Sequence, residues 1–165
     1  MNENARLLAS IDAQYENAWT MLCETIEAFR QQDWRSADFS YLTPARLAYH
    51  TIETVDFYAR RNMSEFVWGH RAGIDWESTD ADRLPDQIAT LEYLGDTRVA
   101  NSEWLQSIAS IGTQTGGLLA PDVQFHEEGM CYLDRALYVL RHTHQHMGEL
   151  AAELRRRGLP RPGWR

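Results

Sequence analysis

Residues Met130–Gly158 read MCYLDRALYVLRHTHQHMGELAAELRRRG. Leu133, Leu137, Leu140, Met147, Ala151 and Leu154 recur at steps of three, four and seven. That spacing lays one apolar stripe along an amphipathic helix. Arg155, Arg156 and Arg157 close the stretch, where positive charge suits the helix dipole, and Gly158 and Pro160 stop it. A helix over 130–157 is predicted.

Working outward, the same period appears three more times. Leu8, Ile11, Tyr15, Ala18, Leu22, Ile26 and Phe29 mark a first helix over 4–31. Thr43-Pro44 is a start signal for a second over 44–67, with Leu47, Thr51, Thr54 and Tyr58 on one face. Ile88, Leu91, Leu105 and Ile108 mark a third over 86–111, whose polar middle, Gly95 to Ser102, invites a kink. Four helices of about 25 residues, each roughly 35–40 Å long, predict an all-α four-helix bundle. The connections 68–84 and 112–129 are long for simple turns, so at least one is expected to cross the bundle lengthwise. At most a small hairpin is expected in 113–129.

The chain has 165 residues and 19.1 kDa, which predicts one domain over 1–165. With 24 acidic and 16 basic residues the net charge is −8, which disfavours nucleic acid and anionic membrane surfaces as partners. No apolar run is long enough to span a membrane, and residues 1–19 lack the pattern of a signal peptide, so a cytoplasmic protein is expected. Every basic residue is Arg, which removes Schiff-base, P-loop and kinase lysine chemistry together. Cys23 and Cys131 are too few for a cysteine-based zinc site and are expected to be small buried hydrophobes.

There is no HExxH, no Glu-x-x-His, no G-x-S-x-G and no G-x-G-x-x-G; His126-Glu127-Glu128 lacks its second His. What remains is histidine on helices. His142 and His146 are one turn apart, with Cβ atoms about 5–6 Å from each other, and can share one transition metal. The plain alternative is a solvated polar face flanked by Arg141 and Glu149. His144 falls on the apolar stripe, whereas His142 and His146 lie toward the other side, beside Tyr138, Val139 and Leu150. The periodicity leaves open which histidines point inward. His50, the one His in the middle of another helix, is the natural third ligand, against the plainer reading of a satisfied core residue.

These residues resemble the DinB/YfiT-like superfamily of small bacterial bundle proteins. One motif is the single-His element of the second helix, Leu47-Ala48-Tyr49-His50-Thr51-Ile52-Glu53-Thr54-Val55-Asp56-Phe57-Tyr58. The other is His-x-x-x-His-x-Gly-[Glu/Gln]-Leu, here His142 to Leu150, running into the stop at Leu154 to Gly158. Their order and separation fit across essentially the whole chain. The resemblance implies an up-down-down-up bundle with 68–84 as the long crossover. It also implies a metal, zinc or nickel, held by His50, His142 and His146, with His144 outside the ligand set.

Characterised members of the family include transferases and isomerases that use low-molecular-weight thiols. The resemblance therefore implies a metal-dependent enzyme acting on a small molecule, of thiol S-transferase or hydrolase type. Asp56 and Arg141 are candidates for contacts behind the metal or with substrate, and Arg46, Arg60, Arg61 and Arg141 for carboxylates of a thiol cofactor. The alternative is a non-catalytic metal- or ligand-binding bundle of stress-response type. A homodimer is expected in either case. His70 and His126 receive no role from sequence.

Overall fold

The computed structural model describes residues 3–60, 62–111, 117–125 and 129–165. It is all-helical, with no strand among the described residues. Helices α1 (Glu3–Ala28), α3 (Pro44–Tyr58), α4 (Gln87–Ile111) and α5 (Tyr132–Arg156) are long, and α2 (Gln31–Trp34) is a single turn. Both α1 and α3 pack on α4 and on α5. Tyr15, Trp19, Leu22, Tyr49, Ile52, Leu105, Ile108 and Leu150 are among the side chains fully enclosed in the core between them.

End contacts fix which parts of the helices meet. At the start of α4 the Gln87 amide donates to the carbonyls of Ile26 and Phe29, both at 2.8 Å, at the end of α1. Farther along that pair, Arg98 meets Glu16 and Ser102 meets Asp12. Tyr15 of α1 donates to the Ala136 carbonyl near the start of α5 at 2.7 Å. Arg157, just past the end of α5, pairs with Asp33 at 3.2 Å just past the end of α1.

The helix ends depart from the periodic reading in two places. The first helix stops at Ala28, short of 31, because Arg30 is extended (φ −70°, ψ 149°) and Gln87 takes the carbonyls that another turn would need. The second stops at Tyr58, nine residues short of 67. Arg60 turns back on Asp56 at 2.9 and 3.1 Å, and Asn62, also extended, accepts from the Ser64 N–H to start a 3₁₀ turn at Met63–Glu65. This bend drives Met63 into the core and lets Phe66 and Trp68 pack on Phe57. By contrast, the polar middle of α4 stays helical, with Thr97 and Asn101 turned inward.

α5 begins where Cys131 and Asp134 form a capping box, with the Cys131 N–H donating to the carboxylate at 2.9 Å. It ends where Gly158 adopts φ +66° and the Leu159 N–H reaches back to the Leu154 carbonyl. Cys131 is thus buried and also a cap; Cys23 is half-buried against the core. The expected hairpin lies partly outside the described residues; what is described is one bridge, Pro121 to Cys131.

The buried face of α5 overlaps only in part with the stripe expected from sequence, sharing Met147 and Leu154. Ala136, Val139, Thr143, Met147, Leu150 and Leu154 point inward, whereas Leu137 is 48% exposed. Two polar residues make this face possible. Thr143 returns its hydroxyl to the Val139 carbonyl at 3.0 Å, and Arg135 is buried against Asp122 at 3.0 Å and over the Trp104 ring.

Connection 59–86 covers the outer side of α3, of whose residues nearly all are buried. The Arg46 guanidinium donates to the carbonyls of Ser40, Trp76, Glu77 and Thr79. Glu53 accepts the Gly69 N–H at 2.5 Å. Gly69 itself sits at φ +77°, and a Cβ there would overlap the Ile74 carbonyl, so only glycine fits this turn.

Candidate metal centre

α3 and α5 lie side by side, and their histidines meet there. His50 comes from the second turn of α3, while His142 and His146 project from successive turns of α5. One ligand atom from each can be chosen so that all lie within 4.8 Å of one another. The Nε2 atoms of His142 and His146 are 3.1 Å apart, a gap that two bonds of about 2.0–2.1 Å to one ion can span. The His50 ring stands edge-on to both, at 5.0 Å from His142 and 4.8 Å from His146 between centroids. The three are half-buried.

The surroundings suit neutral imidazoles. Burial first, and the neighbouring His146 second, push His50 down to about 4. Burial, then His146 and His50, push His142 down to about 3. Neutral rings keep the lone pairs that a metal needs. His146 Nδ1 lies 2.6 Å from Glu149 Oε2, so that nitrogen carries the proton and Nε2 faces its partners. Buried Nδ1 atoms of His50 and His142 have no hydrogen-bond partner. The Trp76 ring lies against His50 at 4.4 Å, and Tyr138 stacks near His142 at 6.4 Å. The donor set therefore fits one divalent transition metal.

Other candidates lie elsewhere. His144 is on the α1 side of α5, beside Trp164 at 6.0 Å, lining a cavity with Met21, Thr25 and Met147. Asp56 is buried away from the cluster; it accepts from Tyr93 at 2.8 Å and pairs with Arg60. His70, from the connection, lies 3.4 Å from Asp56 and 4.0 Å from Glu53. Burial raises the Glu53 carboxyl to about 7, against the pull of the Gly69 N–H. Arg46 is committed to backbone carbonyls, so it is not a free anion-binding group. Arg141 covers the Tyr138 ring at 5.5 Å. Arg61 and His126 lie outside the described residues.

Sequence reading passed over Glu149 as an imidazole partner, although its spacing of three from His146 was the available signal. Nothing local signalled Trp76. Compared with known protein families and with curated proteins, the chain matches none.

Proposed function

We propose that the chain is a divalent-metal-binding bundle protein of DinB/YfiT-like type, and that the metal serves an enzyme acting on a small molecule. The observation that carries this reading is the convergence of His50, His142 and His146 from helices distant in sequence, with ligand atoms within 4.8 Å. Zinc and nickel both suit three neutral imidazoles. The up-down-down-up order with 59–86 as crossover is supported by the end contacts: α4 starts where α1 ends, and α5 ends where α1 ends. His50 lies level with His142 and His146, and Tyr58 with Tyr138, so α3 runs against α5.

A bound divalent ion supplies Lewis acidity that favours the thiolate of a small thiol or the hydroxide form of water. The chain's own residues then have plain duties. His50, His142 and His146 hold the ion, and Glu149 keeps the His146 proton on Nδ1. Trp76 shields the His50 side from water. Arg141, next to His142, offers positive charge to an anionic group on the substrate. Small-thiol transfer or hydrolysis is the reaction type; the protein is expected in the cytoplasm as a homodimer.

A second reading, a non-catalytic metal- or ligand-binding bundle, is favoured by one observation. The buried acids nearest α3's histidine, Glu53 and Asp56, are engaged with Gly69, Arg60 and Tyr93. Metal content measured on purified protein, followed by turnover with thiol–electrophile pairs and simple esters, separates the two. His146→Ala should lose most of the zinc or nickel affinity while circular dichroism stays helical, and His144→Ala should bind as the parent does. Metal binding that survives His146→Ala, or that His144→Ala abolishes, refutes the ligand set. Stoichiometric metal without turnover favours the second reading.

A further inference from the structure

Two columns of side chains face each other where α3 packs on α5. His50, Thr54 and Tyr58 follow at four-residue steps on one helix, and Tyr138, His142 and His146 on the other. Residues so spaced stand one above another on a single helix face. At one level His50 meets His142 and His146; at the other, Tyr58 meets Tyr138 at 5.4 Å. Thr54 stands between those levels, one turn below the histidine cluster.

The Thr54 hydroxyl behaves unlike those of four other core threonines, and shares its lack of a partner with Thr97 of α4. Thr25, Thr51, Thr90 and Thr143 each return their O–H to the carbonyl four residues back, at 2.6–3.0 Å. Thr54 is 4% exposed, and its Oγ1 is buried without a partner. On the facing column the orphan is His142 Nδ1, and His50 Nδ1, one turn above Thr54 on its own column, is a third. The adjacent His146 has its Nδ1 held by Glu149. Buried polar atoms are seldom left unpaired, and an imidazole that ligates through one nitrogen nearly always has the other held. Each orphan therefore calls for a partner, and they lie on facing turns.

We propose that Thr54 is the positioning residue for His142. The His142 Nδ1–H donates to one ordered water, which donates to Thr54 Oγ1, so that the Nε2 lone pair stays turned toward His50 and His146. As Thr54 Oγ1 and His142 Nδ1 make no direct hydrogen bond, the proposed link runs through one water, for which they are the two polar partners a buried water needs. Thr54 thus does for His142 what Glu149 does for His146. The consequence for metal affinity rests on the metal-binding reading above; the tautomer of His142 does not.

Thr54→Val removes the hydroxyl at nearly constant volume, and Thr54→Ser keeps it. Imidazole ¹⁵N shifts of the metal-free protein report the His142 tautomer, and chelator competition reports zinc affinity. The parent should show His142 as the Nδ1–H form. Thr54→Val should lose that preference and about 10- to 100-fold in zinc affinity, while Thr54→Ser retains both. If Thr54→Val is unfolded by circular dichroism, Thr54→Ala makes the same comparison. A hydroxyl-free variant matching the parent in both readouts overturns the proposal, as does equal impairment of Thr54→Ser. If the parent binds no zinc yet the hydroxyl-free variant shifts the tautomer, the metal reading falls and the role of Thr54 stands.

Discussion

His50 and His142 show how burial and neighbours decide what a histidine does. Free imidazole takes its proton at about 6.5, whereas His50 and His142 are held at about 4 and 3, by burial first and by nearby rings second. Between about 6.5 and 4 the two histidines make the unfolded chain bind more protons than the folded one, and the raised carboxyl of Glu53 offsets only part of this, so stability rises with pH across that window. The metal-free protein should lose on the order of a few kcal/mol between pH 7 and pH 4 in urea titrations. His142→Gln should flatten that slope, because it removes one of the rings that must stay neutral. A stability curve without slope there would contradict two buried neutral histidines.

At the scale of elements, the connection 59–86 is a strap and not a loose loop. Arg46, only 4% exposed, ties three of its carbonyls, those of Trp76, Glu77 and Thr79, to α3, and Glu53 ties Gly69. Hydrogen bonds from a charged donor are each worth about 1.5–3 kcal/mol, and carbonyls left buried and unpaired add a cost. Arg46→Met should therefore lower stability by about 2–3 kcal/mol. It should also loosen the strap, so that trypsin cuts after Arg71 and Arg83 under conditions that leave the parent intact. Metal affinity should fall as well, since Trp76 reaches His50 from this strap. Unchanged proteolysis would show that packing of Trp76 and Leu84 holds the strap without Arg46.

For the molecule as a whole, α1 and α3 share the same two partners, α4 and α5, and one core runs among all four. The faces left outside carry apolar groups: Ile88 and Val99 on α4 are 71% and 58% exposed, and Leu137 on α5 is 48% exposed. These residues give the proposed homodimer apolar surface to bury. Sedimentation equilibrium at micromolar concentration should return twice the 19.1 kDa of the chain, and a mass of one chain would refute the dimer. Among the described residues, no helix is long and apolar enough to cross a membrane.

Helix content was legible in the sequence because it is written locally. Apolar steps of three and four, Pro44 at a start and Gly158 at a stop are enough to place four long helices, whatever packs on them. Ends that depend on distant partners were not legible: α1 stops where Gln87 takes its carbonyls, and α3 stops where Met63 turns into the core. The histidine spacing on α5 was legible, but the side it faces was not. Periodicity scores Thr143 and Arg135 as polar and so rotates the stripe toward His144. Only packing makes them interior, one through a backbone carbonyl and the other through Asp122. The meeting of His50 with His142 and His146 and the packing of Trp76 on His50 are contacts between segments far apart in sequence. A pattern read along one helix fixes a residue's angle about that helix; which neighbour waits at that angle is settled by how the helices pack.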